Sequence, residues 1–279
     1  MKEQRIIFKI KKDNNGTTIC KYLQTYKVNT KFINNLINNR KITLNGVIVE
    51  RNDVFVYEGD VVYICVPFDS LKPYKKNVDI LYEDEWIIVV NKPAGILVHS
   101  DGVTDETLMN AVYFYLLQSK QECCAYPIHR LDYETTGIVV FAKNKLALSF
   151  LSVEIEKHQV EKEYVCLCEG KFSNTQGVIN NCIGKDRHSN KQMVVANGKE
   201  AETYYKVLKN GNLSKVRVKI KHGRKHQIRV HLSYIKHPIV GDQIYGNKSG
   251  QNLKLHFYKV SFVHPYTREK MIISCKENF

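Results

Sequence analysis

Apolar residues recur at helical spacing twice near the start of the chain, at Ile19, Tyr22 and Leu23 and again at Phe32, Ile33, Leu36 and Ile37. The stretch "KITLNGVIV" then reads as a strand, a tight Asn45-Gly46 turn and a second strand. "YEGDVVYICV" adds a Gly-Asp turn and a further strand. These elements predict a small module over residues 1–66, too short to bury much core by itself. "PFDSLKPYKKN", Pro67 to Asn77, shows no period and holds two prolines and three lysines, so residues 67–77 read as a linker.

From residue 78 to 279 the pattern changes to that of a larger, strand-rich domain. "VDILYEDEWIIVVNKPAG" carries two apolar strands, and "GIVVFAK" a buried one. "TDETLMNAVYFYLLQ" and "KLALSFLSVEIEKH" have the apolar stripe of helices. "EYVCLCEG", "AETYYKVL", "LSKVRVKIK", "LHFYKVSFVH" and "EKMIISC" read as strands separated by turns. Strands dominate and their spacing is often short. The expected architecture is therefore α+β, a mixed, largely antiparallel sheet with a few helices packed on it.

Composition narrows the partners. The chain has 279 residues, 43% of them hydrophobic, which suffices for a real core. Its formal net charge is +14, with a pI near 9.3. Between Met1 and Lys41, ten Lys and Arg residues face only Glu3 and Asp13, and a second basic cluster runs from Lys215 to Lys225. Two separate basic regions favour a nucleic-acid partner over a merely solvated surface. No apolar stretch has the length of a membrane span, and the N-terminus lacks a signal-peptide core, so a cytoplasmic protein without a membrane partner is expected. The eight cysteines include no C-x-x-C pair, which argues against zinc; Cys166 and Cys168 share a strand face as small hydrophobes. No Gly-rich phosphate loop and no H-E-x-x-H is present, so the expectation is no cofactor and no metal.

One stretch combines acid and base. In "IHRLDYETTGIVVFAK" a lone Asp132 follows His129 and Arg130 and precedes a buried strand. An acid at the mouth of such a strand is held rigidly, as a nucleophile or base must be. A turn-forming Asp bonding its own backbone is the commoner account. "HGRKHQIRVHL" alternates as a strand would, with Arg229 among apolar neighbours; buried there, it needs an acid, and Asp132 would satisfy it. A basic strand facing RNA explains the same pattern. Tyr164 opens a strand and reads as a half-buried sheet residue or as a stacking platform for a base. Lys92 and His99 lie near a turn in "NKPAGILVHS".

Taken together and in this order, "NKPAGILVHS", "HRLDYETTGIVVFAKN", "KEYVCLCEG", "GKEAETYYKVL", "GRKHQIRVHLSYIKHPIVGDQIYG" and "LHFYKVSFVHP" resemble the motifs of the RluA-type RNA pseudouridine synthases. The first segment resembles the small alpha-L RNA-binding motif often fused to that family. The resemblance implies the pseudouridine synthase fold and an isomerase that detaches uracil from ribose, turns it, and rejoins it through carbon, without a cofactor. It implies catalytic roles for Asp132, Tyr164 and Arg229, and RNA contacts from Arg130, His129, Lys92, Arg224 and His226. Nucleophile and base remain equal readings of Asp132. Thr136 and Lys225 depart from the family's commoner Ser and Thr, and Asn34, Asn35, Asn38 and Asn39 stand where basic side chains would strengthen the small module's grip on phosphate. The implied partner is structured RNA, ribosomal before transfer RNA, met by a monomer. A non-catalytic RNA-binding or ribosome-assembly protein is the alternative. A glycoside hydrolase would need a second acid, and Glu134, the nearest, reads as solvated.

Overall fold

The computed structural model describes every residue except 1, 187, 188, 190, 248 and 249. A ten-stranded sheet forms the frame of the larger domain. In spatial order its main path is Gln176–Ile179, Thr203–Lys209, Leu213–Ile220, Glu161–Glu169, Leu255–Val263, Thr136–Ala142, Ile87–Lys92 and Asp79–Glu83. Lys270–Ser274 flanks Leu255–Val263, and Tyr126–Pro127 flanks Thr136–Ala142. All of these pairings are antiparallel except that of Thr136–Ala142 with Leu255–Val263, which runs parallel through Thr136↔His256 and Gly137↔Phe257. Gly137 permits this contact. Its φ is +112°, and a Cβ there would stand 2.6 Å from Phe257 N. The fold is thus α+β with a mixed, largely antiparallel sheet.

Helices form where the apolar stripes predict. Leu108–Gln118 is capped by Thr107, whose hydroxyl accepts from Asn110 N, and Lys145–Glu156 by Asn144. Cys166 and Cys168 are buried on one strand face, and all eight cysteines are free. One element differs from expectation. Residues 226–232, read as a strand, form the helix Gln227–Tyr234 with its neighbours. Every residue from Gln227 to Leu232 is buried, so the apparent alternation marks no exposed face. The polar members are held by partners instead. His231 Nε2 donates to Asn181 O at 2.9 Å, which leaves its Nδ1 to accept from the Thr203 hydroxyl at 2.8 Å, and that oxygen accepts from Gln227 Nε2 at 3.1 Å.

The N-terminal residues form a four-stranded sheet in the order Lys2–Lys9, Val61–Phe68, Ile42–Leu44, Val47–Ile48, covered by the helices Ile19–Gln24 and Thr30–Asn38. The charged first strand was not legible because only Ile6 and Phe8 point inward along it. Pro67 and Phe68, expected in the linker, complete the strand Val61–Phe68, and no helix or strand occurs again before Asp79.

An aromatic stack ties the module to the larger domain. Trp86 lies between Tyr26 (centroids 5.4 Å apart, 16°) and Tyr266 (4.9 Å, 11°), with Phe8 against its edge. Arg268 covers Tyr26 and donates to Thr25 O at 3.0 Å, while Ser149 Oγ donates to Lys27 O at 2.7 Å. Trp86→Ala should therefore lower the free energy of unfolding by about 3–5 kcal/mol, read by chemical denaturation. A loss below about 1 kcal/mol would show that module and domain hold together without the stack.

Candidate active site

The loop that carries Asp132 runs from the strand Tyr126–Pro127 into the strand Thr136–Ala142. It is held from beneath by Lys92, which is fully buried at 0% exposure. Lys92 Nζ donates to Thr135 O at 2.7 Å, Pro93 O at 2.9 Å and Tyr133 O at 3.0 Å. Three acceptors take three N–H donors, which only the ammonium offers. Burial pushes this lysine down to about 8, against which the charge of Asp132 pulls up. At pH 7 the ammonium still dominates. Gly95 N closes the loop on Tyr133 O at 2.9 Å, and Thr135 N donates to Asp132 O at 3.1 Å. Lys92 is thus a brace of the loop rather than an RNA contact, a correction forced by its burial.

Above the loop, Asp132 opens into a cavity of about 300 Å³, with Tyr164, Arg229, His226, Arg224 and Arg130 among its walls and Leu131, Ile220, Ile228 and Leu255 as the apolar part. That is large enough for a pyrimidine nucleoside and is lined as small-ligand pockets are, by apolar surface with a few polar groups. Tyr164 is 6% exposed and stacks on Phe257 with centroids 4.5 Å apart. Burial first, and then the negative charge of Asp132, raise its phenol, which stays protonated.

Arg229 does meet Asp132, Nη1 to Oδ2 at 3.4 Å, but this is its minor contact. Its fork is taken by Asp242: Nε to Oδ2 and Nη2 to Oδ1, both at 2.8 Å. Arg229 is 2% exposed and Asp242 0%. Asp242 Oδ1 also accepts from Ile244 N at 2.9 Å and Tyr245 N at 3.0 Å. Burial works against the charge of Asp242, yet Arg229 and the two backbone donors hold its carboxyl below the usual range. Gly241 makes the turn possible: at φ +78°, a Cβ there would stand 2.5 Å from the Asn252 carbonyl carbon. Asp242 lies inside the motif "GDQIYG", whose signal is that a buried guanidinium needs an acid in its plane, and this is the acid. Glu134, read as solvated, turns to Arg229 Nη2 at 3.7 Å and is 38% exposed.

His226 caps the helix from the left-handed region, φ 56°, with Nδ1 2.8 Å from the Tyr245 hydroxyl and Nε2 3.8 Å from Asp132 Oδ1. Burial lowers its pKa more than Asp132 raises it, so it stands neutral beside the acid. His129 is also half-buried and neutral. Its pKa falls to about 3 through burial and the nearby charge of Lys162, and its Nε2 accepts from Val140 N at 3.3 Å. An RNA contact from His129, as the resemblance implies, would therefore come from a neutral ring. Arg130 is exposed at the rim. Arg224 is anchored by Nε to Glu200 O at 2.8 Å. His99 lies off this constellation and lines neither this cavity nor the one beside it. Among the described residues no group of three or more His, Cys, Asp or Glu side chains is gathered as a metal would require.

Comparison with known proteins agrees with this architecture. The family profile described as RNA pseudouridylate synthase matches residues 86–234. The chain is 35% identical over 275 residues to the uncharacterized RNA pseudouridine synthase YhcT of Bacillus subtilis, covering 94% of this chain and 90% of that one. It is 36% identical over 206 residues to the ribosomal large subunit pseudouridine synthase D of Borreliella burgdorferi, covering 69% of this chain and 63% of that one. The solved structure of human RNA pseudouridylate synthase domain containing 1 superposes with a TM-score of 0.62 at 25% identity, over 77% of this chain and 87% of that one. The chain belongs to the RNA pseudouridine synthases, isomerases that act on uridine in RNA. Within them it is of the RluA type.

Two variants separate the roles of the charges. Asp242→Asn removes the anion that holds the Arg229 fork, and should cost about 3–5 kcal/mol of stability, measured by denaturation. Lys92→Met should cut turnover at least about tenfold, ~1.4 kcal/mol on the barrier, while RNA affinity changes little. An affinity loss with intact turnover would restore Lys92 as an RNA contact. The pH dependence has a definite sign. Below about 8 both folded and unfolded chains hold the Lys92 proton; between there and the ordinary 10.5 only the unfolded chain does. Wild type should therefore gain stability relative to Lys92→Met across that window, by up to about 3 kcal/mol.

Proposed function

We propose that this chain isomerises a uridine in large-subunit ribosomal RNA, with Asp132 acting at the ribose, Tyr164 packing on the base and Arg229 orienting the acid. The observation that carries the reading is the difference between two acids on one guanidinium. Asp242 has its carboxylate taken up by the fork and two backbone N–H groups. Asp132 faces the cavity with only a side contact at 3.4 Å and a neutral imidazole at 3.8 Å. An acid with free lone pairs can attack the anomeric carbon or take a ribose proton, and both roles remain open. In either, the C1′–N1 bond breaks, uracil turns in the pocket, C1′ bonds C5, and the C5 proton is lost as N1 regains one. Atoms and charge balance without an oxidant or a cofactor.

A uridine in folded RNA must leave its stack to reach this depth. Arg130, exposed at the rim, is placed to fill or brace the gap. Ribosomal RNA is favoured because several similar proteins bear the name ribosomal large subunit pseudouridine synthase D. The N-terminal module supports it with exposed Lys11, Lys12, Lys21 and Lys31, which suit phosphate contacts.

Asp132→Asn keeps shape and removes both reactive roles. Its single-turnover rate should fall below about a hundredth of wild type, ~2.7 kcal/mol on the barrier, with RNA binding nearly intact. Faster turnover would assign the chemistry elsewhere. Absence of turnover in the wild type on its RNA would favour the non-catalytic alternative. Pseudouridine maps of total RNA from a deletion strain should lose a large-subunit site; loss confined to transfer RNA would overturn the choice of substrate.

A further inference from the structure

Behind the Tyr164 wall lies a second cavity of about 280 Å³. It shares Arg130, Tyr164, Ile220, Gly223 and Arg224 with the first. No Asp or Glu lines it; its polar walls include Lys162, His129, His158 and His222. Lys162 is 9% exposed, and its side chain, among the described residues, has neither an ion pair nor a hydrogen bond. The other deeply buried lysines are satisfied, Lys92 by three carbonyls and Lys143 by Glu83 at 2.8 Å. His222 is 7% exposed, and its buried Nδ1 has no partner. Its ring packs edge-on to that of His158, with centroids 4.9 Å apart. Burial lowers the pKa of Lys162, and burial with the charge of Arg224 lowers that of His222. An anion placed between them would reverse both effects. Lys162 thus brings a positive charge to a cavity whose walls hold no acid, and an anionic ligand is the complement those walls lack.

Position identifies the ligand. Lys162 and Tyr164 are two residues apart on the strand Glu161–Glu169, so they point to the same face, roughly 6.7 Å apart along it. That step is comparable to the reach from a base to a phosphate flanking it. We propose that the second cavity is a phosphate subsite, in which Lys162 and His222 take a backbone phosphodiester of the RNA beside the uridine that enters the first cavity. The proposal rests on the first cavity being the uridine pocket. Capturing the adjoining phosphate fixes the strand while the base turns, and pairs a binding charge with the stacking residue on one rigid strand. Glu163, between them, points to the opposite face and meets Lys219 at 3.3 Å and Lys259 at 3.6 Å, so it does not neutralise the cavity.

The test uses the full chain and Lys162→Met, which keeps length and removes charge. In single turnovers the half-saturating RNA concentration should rise at least tenfold, far more than the limiting rate falls. The log–log salt slope of binding should shrink by about one. The melting temperature should change little, since the Lys162 side chain holds no ion pair or hydrogen bond that the substitution would break. RNAs with one methylphosphonate linkage on either side of the target should bind wild type more weakly at one position, and Lys162→Met should lose nothing further there. Unchanged half-saturation and slope would overturn the subsite. A fall in limiting rate alone would make Lys162 a positioning residue for Tyr164 and also overturn it. A titration without turnover keeps the two readings apart. Inorganic phosphate at constant ionic strength and pH should shift the His222 ring signals in NMR of wild type and not of Lys162→Met. If it does so while no uridine is isomerised, the subsite stands and the substrate reading fails; if only free phosphate binds, and neither methylphosphonate matters, the RNA phosphodiester is ruled out.

Discussion

The bidentate pair of Arg229 with Asp242 is the constraint on which the site depends. Both side chains are almost wholly buried, so each would be costly alone. Together they fix the plane of the guanidinium, and the backbone N–H groups of Ile244 and Tyr245 fix the carboxylate. Since Arg229 sits within the helix Gln227–Tyr234 and Asp242 just after the tight turn at Gly241, the pair locks two chain segments to one geometry. Only then is the remaining guanidinium edge presented to Asp132. The Tyr245 ring lies near the guanidinium, 5.5 Å from its carbon, while its hydroxyl meets His226, so the same cluster also sets the side wall of the cavity.

The loop of Asp132 is fixed from the opposite direction by a different physical device. Lys92 ends a sheet strand, and its ammonium gathers the carbonyls of Thr135 and Tyr133 in the loop together with that of Pro93. With the loop's carbonyls turned toward the cation below, the Asp132 side chain borders the cavity above. Gly137 then lets the loop descend into a parallel pairing at the centre of an otherwise antiparallel path. Asp132 is therefore held between a brace below, at the end of a sheet strand, and a fork beside it that joins a helix to a tight turn.

Most of the frame was legible in the sequence, because period and turn chemistry are local. The helices Leu108–Gln118 and Lys145–Glu156, and the strands Glu161–Glu169 and Leu213–Ile220, lie where the apolar pattern puts them. The misread segment at Gln227–Leu232 fails for a clear reason: when every position is buried, alternation of residue type carries no information about faces. The first strand was hidden because its outward side is charged, and the strands Gln176–Ile179, Ile183–Lys185 and Gln192–Val194 are too short to show a period. The motifs brought Asp132, Tyr164 and Arg229 into view as a set, and all three border one cavity. What sequence could not give was the distribution of charge among partners. Lys92 and His129 read as bases near an acid; three carbonyl partners make Lys92 a brace, and burial with the charge of Lys162 makes His129 a neutral ring.

The same distribution explains how one guanidinium serves two acids differently. If Asp132 held the fork of Arg229, its oxygens would be fixed by two strong hydrogen bonds and would be poor at forming a bond to carbon or to a ribose proton. Asp242 prevents this by occupying the fork itself. It leaves Asp132 a single contact at 3.4 Å, near enough for charge and too long for a strong bond. Glu134, at 3.7 Å from the same guanidinium, adds a second negative charge on the solvent side. Three acids around Arg229 would make the pocket repel an RNA backbone, so the bases around it have a necessary part. Lys92 lies beneath the loop, and Arg130 and Arg224 border the opening. The excess of positive charge over the whole chain is thus needed locally as well, to bring a polyanion to a pocket that gathers three acids around one guanidinium.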